Sequence, residues 1–277
     1  MPTKRNPAVA GQFYSGGRER LLREIEGCFN SPLGPGGVPK LNQRGKREIK
    51  GAVVPHAGFV YSGPVAAHTY SALAGDGFPK TFVIIGPNHT GMGSGVAITT
   101  ETFSTPLGDV PVDAELAKDL TKDAVDSDVA SHRDEHSIEV QLPFLQYIKP
   151  EISIVPVCMM IQDYGMAEKV GRLIGEAIRG KDAVVLASTD FSHYVRKSVA
   201  AKYDSMAIDC ILERNPKKLY DTVVKNDISM CGYGPVMAML VATSVTGSSK
   251  AELLKYATSG DVTSMSDVVG YAAIVVK

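Results

Sequence analysis

The chain has 277 residues, of which 44% are hydrophobic and 21% are charged. Its 29 Lys and Arg residues and 30 Asp and Glu residues leave a formal net charge of −1. This balance argues against a protein that grips nucleic-acid phosphates, because such a protein needs an excess or a stripe of positive charge. No apolar run approaches the ~18 residues of a membrane-spanning helix, and the N-terminus lacks the apolar segment of a secretory signal. We therefore expect neither nucleic acid nor membrane as a partner.

The cysteines are few and widely spaced, at Cys28, Cys158, Cys210 and Cys231, with no C-x-x-C pair. This pattern excludes the disulfide framework of a small secreted domain and favours a reducing, cytoplasmic location. Cys28, Cys158 and Cys210 lie within apolar helix or strand patterns, which predicts that they pack in the core.

Short apolar runs rich in β-branched residues predict buried strands at 51–54, 81–86, 152–159, 183–188, 253–258 and 271–276. Helix-like stretches lie before and between them, at 17–29, 64–73, 113–121, 138–148, 165–179, 199–213 and 233–243. The alternation predicts an α/β/α sandwich with a largely parallel central sheet, whose strands are continuously apolar because helices cover both faces. We expect a single domain over residues 1–277.

Two segments depart from this rhythm. Residues 96–112 combine alternating polarity, several threonines and a Pro-Leu-Gly-Asp turn, which predicts an antiparallel hairpin excursion. Residues 31–47 are rich in Pro, Gly and basic side chains, which is typical of an exposed loop.

Three histidines follow the carboxyl ends of predicted strands. His56 follows 51–54, His89 follows 81–86, and Asp190 and His193 follow 183–188. Ligands of open α/β sheets bind at that edge, where the loops converge. If the three strands are parallel neighbours, these four side chains meet in one pocket.

Imidazoles and carboxylates are the usual ligands of Zn, Fe and Cu, and imidazole is also the natural base near neutral pH. Each histidine taken alone has a simpler interpretation, as a loop side chain hydrogen-bonded to a backbone carbonyl. Asp190 has one too, as the N-cap of a following helix. The equivalent positions of the three histidines favour a shared site.

A second cluster, Asp134-Glu135-His136-Ser137, opens the stretch 138–148. Asp134 or Ser137 is an acceptable helix N-cap, and acidic side chains suit a first helical turn. Alternatively, Glu135 or His136 points into the pocket as a ligand or as a partner of one. Pro143 makes the start of this helix uncertain, so the pattern leaves both interpretations open.

Cys231 lies in a tight turn, Met230-Cys231-Gly232-Tyr233-Gly234-Pro235, just before a predicted helix. Free backbone N–H groups at a helix start can lower the pKa of a thiol, whereas an inert buried cysteine is the simpler alternative. The chain has no Walker A loop, no dinucleotide-binding glycine fingerprint and no G-x-S-x-G nucleophile elbow.

Five motifs in this order resemble the Memo family. They are PHAGFVYSG (55–63), GPNH (86–89), DEHSIEVQLPFL (134–145), STDFSHY (188–194) and MCGYGP (230–235). The resemblance spans essentially the whole chain and implies the fold of the class III extradiol ring-cleaving dioxygenases.

Those dioxygenases hold Fe(II) with two histidines and a carboxylate, leaving positions open for substrate and oxygen. By resemblance, His56 and His89 match the two histidine ligands and His193 matches the base. In the Memo family a cysteine takes the place of the carboxylate, which implies that Cys231 is the third ligand. A thiolate beside two imidazoles favours Cu or Zn as much as Fe, whereas the resemblance as a whole implies Fe or Cu more than Zn.

The resemblance also implies possible partners, namely a radical-SAM protein and an Ammecr-family protein, or a peptide.

Three functional hypotheses follow. The first is a metal-dependent redox enzyme in which His193 is the acid/base and Asp190 and Glu135 orient the imidazoles. The second is a non-catalytic binding protein that recognises a peptide or a small anionic ligand in the same cleft. The third is a Zn-dependent hydrolase with Glu135 or His193 as base.

Overall fold

The computed structural model of the protein describes residues 3–277. Its strands, in chain order, are β1 Lys4–Arg5, β2 Gly51–Val54, β3 Thr81–Pro87, β4 Val96–Ile98, β5 Thr102–Thr105, β6 Gly108–Val110, β7 Asp126–Ser127, β8 Ser153–Met159, β9 Ala183–Ser188, β10 Val195–Arg196, β11 Ala251–Thr258, β12 Asp267–Val268 and β13 Gly270–Val276.

The helices surround these strands, and a short 3-10 turn, Glu139–Gln141, precedes the fifth of them. In chain order they are α1 Arg18–Asn30, α2 Phe59–Asp76, α3 Ala114–Leu120, α4 Ala130–Arg133, α5 Leu142–Ile148, α6 Tyr164–Ile178, α7 Lys197–Leu212, α8 Pro216–Lys225, α9 Tyr233–Val245 and α10 Ser259–Val262. None of them is long and apolar enough to cross a membrane, within the part of the chain that the structure describes.

The central sheet has eight strands in the order β11-β13-β2-β9-β3-β8-β4-β7. The four middle strands, β2, β9, β3 and β8, are parallel. The predicted α/β fold with a largely parallel sheet is confirmed. The strands near the two edges differ, because β13 joins β2 and β4 joins β8 in antiparallel pairs, and β11 returns antiparallel beside β13.

Alternate residues of the middle strands enter two separate apolar layers. Val53, Val83 and Val185 face the layer that contains residues of α6 and α9. Val54 and Ile84 face the opposite layer, to which α1, α2 and α5 contribute. Because both faces are covered, the strands are apolar at every position, which is the pattern by which the sequence predicts them.

The hairpin predicted over 96–112 is only partly formed. β5 and β6 pair antiparallel, from Phe103 opposite Val110 to Thr105 opposite Gly108. β1 adds a parallel strand beside β5, which makes a small three-stranded sheet. The first part of the segment, β4, instead joins the central sheet.

A buried ion pair fixes the N-terminal segment to the start of the 134–148 region. Arg5 Nη1 lies 2.7 Å from Glu139 Oε2, and both side chains are at most 2% exposed. The Arg5 guanidinium also donates to the carbonyl oxygens of His132 and Glu135. Glu139 in turn accepts from the Tyr14 hydroxyl. Every charge is therefore matched by hydrogen bonds, which a buried pair requires.

We predict that Arg5→Met lowers the free energy of unfolding by about 3 kcal/mol, because it leaves the Glu139 carboxylate buried without its cation. The adjacent Lys4 provides the control, because it forms an ion pair with Asp109 at the surface. The Lys4 side chain is 58% exposed and the Asp109 side chain is 43% exposed. Lys4→Met should cost less than about 1 kcal/mol. Urea denaturation of both variants checks the difference, and equal losses would contradict the assignment.

His132 is a buried histidine outside the site described below. It is 1% exposed, and its Nε2 lies 3.1 Å from the Ala97 carbonyl oxygen. Burial lowers the pKa of its imidazole from 6.5 to about 4. The folded protein therefore keeps His132 neutral over a pH range in which the unfolded chain protonates it.

This pKa shift predicts a pH-dependent stability. Between pH 6.5 and pH 4 the unfolded chain binds a proton that the folded chain does not, so acidification favours unfolding. The stabilisation that neutral His132 contributes to the free energy of unfolding is complete above pH 6.5 and is lost as the pH falls towards 4. Between pH 6 and 5, the free energy of unfolding of His132→Gln should fall less steeply than that of wild type. The two slopes should differ by about 1 kcal/mol per pH unit. Parallel slopes in denaturation series would refute the prediction.

Candidate metal centre

The three parallel strands β2, β9 and β3 are immediate neighbours, in that order. Their carboxyl ends therefore lie side by side, and the loops that follow them carry His56, His89, Asp190 and His193. All four residues line one cavity of about 430 Å³. The structure thus brings together the side chains that the sequence placed at equivalent strand ends.

His56 lies at the buried end of this cavity and is 2% exposed. Its Nδ1 is 2.8 Å from the Ser188 hydroxyl at the end of β9. Burial, helped by the neighbouring imidazoles, lowers the pKa of His56 well below 6.5. The ring is therefore neutral at physiological pH, which is the form that binds a metal.

The Glu135 carboxylate orients two further imidazoles. Its Oε1 lies 2.9 Å from His89 Nδ1 and 3.4 Å from His136 Nδ1. It also accepts from the backbone N–H groups of His136 and Ser137, each at 2.8 Å. Burial alone would raise the pKa of Glu135, but the hydrogen bond from His89 and the electrostatic attraction of the neighbouring imidazoles lower it to about 2. Glu135 is therefore an anion that accepts a hydrogen bond from His89 Nδ1 and lies beside His136 Nδ1, and the Nε2 atoms of both rings remain available.

Gly86 allows the segment that carries His136 to approach β3. A side chain at Gly86 would collide with the Ser137 hydroxyl and with Ile138. In the space that remains, the Ser137 hydroxyl donates to the Pro87 carbonyl oxygen at 2.8 Å. The glycine of the GPNH motif is therefore explained by close packing beside the site.

Three imidazoles converge as a result. Candidate donor atoms of His56, His89 and His136 all lie within 4.8 Å of one another. The His89 and His136 rings are stacked with centroids 4.5 Å apart, and the His56 ring stands edge-on to both. Burial lowers the pKa of His136 to about 4, so this ring is also neutral at physiological pH. The group could hold a metal ion.

Cys231 lies next to this group, at the start of α9. Its Sγ is 3.2 Å from His56 Nε2 and accepts a hydrogen bond from the Asp190 backbone N–H, also at 3.2 Å. Burial and the nearby Asp190 carboxylate raise the pKa of the thiol. Gly232 permits the approach, because a side chain there would collide with the Ser188 carbonyl and with Thr189. The structure thus brings Cys231 to His56, and it brings His136 to both His56 and His89.

Asp190 does not cap a helix. Its Oδ1 accepts from the His56 backbone N–H at 2.8 Å, and α7 begins only at Lys197. Burial raises the pKa of the Asp190 carboxyl to about 6. The carboxylate positions the His56 main chain, whereas the His56 ring is held by Ser188.

His193 lies on the cavity wall, away from the three converging rings. Its Nδ1 is 2.7 Å from the Ser229 carbonyl oxygen, and its backbone N–H donates to the Ser229 hydroxyl at 2.8 Å. When Nδ1 carries the proton that this carbonyl accepts, Nε2 is left as a base. The geometry is compatible with the acid/base role predicted for His193.

The structure separates the alternatives left open for residues 134–137. Asp134 is exposed at the end of α4, and Ser137 bonds to β3, so neither side chain caps a helix. His136 and Glu135 both point to the site. The ligand set predicted from the family, His56, His89 and Cys231, did not include His136. Its position in the acidic DEHS motif was the available signal.

The fold and the site together define an α/β protein with a candidate three-histidine metal centre at the carboxyl edge of its parallel sheet. A family model described as Memo-like protein matches residues 5–275. The chain belongs to the Memo family, as the motifs predict.

Curated relatives cover the whole length. A MEMO1 family protein of Methanopyrus kandleri is 49% identical over 281 residues, 99% of this chain and 99% of that protein. A MEMO1 family protein of Methanothermobacter thermautotrophicus is 47% identical over 274 residues, 97% of this chain and 98% of that protein.

The fold is also similar to that of solved structures. The crystal structure of an uncharacterized protein, JW3007, from Escherichia coli K12 matches with a TM-score of 0.54 at 14% sequence identity. The match covers 82% of this chain and 99% of that one. At this identity the likeness extends to the fold.

Proposed function

We propose that the protein is a metal-dependent redox enzyme that acts on a small molecule in the 430 Å³ cavity. The observation that carries the proposal is the convergence of three imidazoles, from His56, His89 and His136, within 4.8 Å. The cluster runs from the buried His56 to the exposed His89 along the wall of a cavity large enough for a small substrate.

The residues present suit a transition metal. Two rings are neutral because burial lowers the pKa of His56 and His136. The Nδ1 atoms of His89 and His136 are held by one carboxylate, which is the usual outer partner of a metal-binding histidine. These rings would hold a transition metal, which would supply Lewis-acid chemistry and, in the case of Fe or Cu, redox chemistry.

The surrounding residues support catalysis in different ways. His193 takes or returns a proton at Nε2, because Nδ1 is occupied by the Ser229 carbonyl. Asp190 fixes the His56 main chain, and Glu135 fixes His89. Phe13, edge-on to His136 with ring centroids 4.8 Å apart, helps to keep water from that side of the site.

The third metal ligand is either His136 or Cys231. A set of three imidazoles suits Zn, Fe and Cu alike, whereas a thiolate beside two imidazoles favours Cu, Zn or Fe–S chemistry. Cys231 touches His56 at 3.2 Å, so it can reach a metal on that ring once the thiol has lost its proton.

A second candidate function, Zn-dependent hydrolysis, is favoured by the same three imidazoles. Three histidines with an open fourth position form the ligand set of several catalytic zinc sites. In that case Glu135 or His193 would be the base that accepts the proton of a bound water. The two functions differ in their dependence on oxygen and in the metal required.

We further propose a cytoplasmic location, which the state of the thiols supports. Cys28, Cys158, Cys210 and Cys231 are all free. Free buried thiols suit a reducing compartment, which supports a cytoplasmic location.

Metal titration tests the proposal directly. Wild type should bind one equivalent of Zn(II) or of anaerobic Fe(II) or Cu(I), as measured by elemental analysis after gel filtration. His56→Ala and His89→Ala should each lower the affinity at least 100-fold, because each removes a nitrogen ligand.

Two further variants identify the third ligand. Loss of binding in His136→Ala but not in Cys231→Ser assigns His136, and the reverse assigns Cys231. His68→Ala is the control, since His68 is half-buried and contacts the Leu33 carbonyl instead of the site. Absence of stoichiometric metal in wild type, or equal effects in His68→Ala and His56→Ala, would contradict the proposal.

We also predict that Glu135→Gln lowers the metal affinity by about 10- to 100-fold while leaving all three imidazoles in place. The amide is nearly the same size but lacks the charge that holds two Nδ1–H groups. Asp134→Asn is the matched control, because Asp134 is adjacent and exposed. A Glu135→Gln protein with wild-type affinity would show that the carboxylate does not support the ligands.

A further inference from the structure

The mouth of the cavity is built from aromatic side chains. Tyr61 and Tyr194 line it on the solvent side, and the buried Tyr271 lines the cavity further in. Tyr61 and Tyr194 are 37% and 80% exposed, whereas Tyr271 is buried. All three tyrosines and Asp190 line this one cavity, and burial raises the pKa of Tyr271.

The charges that face the cavity are negative. Two carboxylates, Asp190 and Asp267, are among its lining residues, and no Lys or Arg of the described residues 3–277 is among them. Arg196 is opposite Asp267 in the β10–β12 ladder, but the two side chains form no ion pair in that part of the chain. A divalent metal on neutral imidazoles would be offset by Glu135, Asp190 and Asp267. The cavity therefore offers no excess positive charge to an anion.

Tyr194 has an unfavourable backbone conformation. Its φ is +54°, in the left-handed region that bulky side chains rarely adopt. The cost is not offset by burial, because the side chain is 80% exposed, and the phenol makes no hydrogen bond within residues 3–277. Strain of this kind persists at sites where a side chain must be held in place for a ligand.

We propose that the mouth of the cavity is a subsite for an organic cation. Its aromatic side chains are those of Tyr61 and Tyr194, with the buried Tyr271 further in, and Asp267 supplies the opposite charge. Aromatic rings combined with a nearby carboxylate are the arrangement that recognises ammonium groups. The inference rests on the proposed function, because the ammonium group would belong to the molecule on which the metal centre acts. It selects against carboxylates and phosphates, including the small anionic ligand that is one of the hypotheses from sequence.

Three probes of one shape and different charge test the subsite. They are choline, its uncharged analogue 3,3-dimethyl-1-butanol and the anion 3,3-dimethylbutyrate. Binding to the full chain is measured by NMR titration, in chelator-treated and in Zn(II)-loaded protein. Choline should bind about tenfold more tightly than the alcohol. In the metal-free protein, the anion should bind more weakly than both other probes. Equal affinity for choline and the alcohol, or tighter binding of the anion to the metal-free protein, would overturn the proposal.

Variants locate the effect. Tyr194→Ala should remove most of the preference for choline over the alcohol, and Tyr194→Phe should keep it, because a phenyl face still attracts a cation. Asp267→Asn should weaken choline alone, and Arg196→Gln is its control on the facing strand. A preference that survives both Tyr194→Ala and Asp267→Asn would place the cation elsewhere and refute the subsite.

The strain at Tyr194 provides an independent measurement. Tyr194→Gly should raise the denaturation midpoint, since glycine adopts positive φ without cost, and should at the same time lower choline affinity. Asp227, also at positive φ and exposed, is the control: Asp227→Gly should leave choline affinity unchanged. Equal losses of choline affinity in the two glycine variants would contradict a role for the Tyr194 side chain.

The outcome separates the subsite from the metal centre. The tyrosines and Asp267 are not metal ligands, so the charge preference can be measured without metal. A preference for choline in a protein that binds no metal would retain the subsite and reject the proposed enzyme. Stoichiometric metal binding without any preference for choline would reject the subsite and leave the proposed metal enzyme intact.

Discussion

The candidate centre depends on a single buried carboxylate. Glu135 accepts hydrogen bonds from His89 Nδ1 and from backbone N–H groups and lies 3.4 Å from His136 Nδ1, and these contacts lower its pKa to about 2 despite burial. A buried carboxylate without such donors would take up a proton or destabilise the fold. Because one anion fixes both His89 and His136, the two rings stack and their Nε2 atoms remain available. Removing the charge would weaken the support of both rings at once, whereas removing either ring leaves the support of the other intact.

The position of Glu135 is itself set by contacts between distant parts of the chain. Arg5 binds the Glu135 carbonyl oxygen and pairs with Glu139, and the Ser137 hydroxyl bonds to the end of β3. The N-terminal segment and the central strand thus hold the 135–139 region from two sides. Stability and site geometry are coupled here, since the buried ion pair that fastens the N-terminus also places the carboxylate. Gly86 completes the arrangement by leaving room for Ser137 beside the strand.

The sequence predicts the middle of the fold well because the determinants there are local. β2 and β9 have the predicted bounds, since strands covered on both faces are apolar at every position. α8 was not predicted, although Asn215 and Pro216 are the N-cap and first-turn residues of a standard helix start. His136 illustrates the limit. The orientation of the segment that carries His136 depends on Arg5, which contacts His132 and Glu139 in this segment. These contacts join residues that are 127 and 134 positions apart in the chain, and no local sequence pattern contains that information. By contrast, the prediction that the strand-end histidines share one cavity required only that three strands be parallel neighbours.

X-ray absorption spectroscopy of the Zn(II)-loaded protein would identify the ligands of the metal, because it counts ligand atoms without requiring a substrate. We predict that imidazole nitrogens at about 2.0–2.1 Å dominate the coordination sphere, with the outer-ring scattering of at least two histidines. An additional sulfur at about 2.3 Å would add Cys231 to the ligands. A shell of oxygen atoms alone, without imidazole scattering, would show that the metal binds elsewhere and would contradict the assignment of His56, His89 and His136 to one centre.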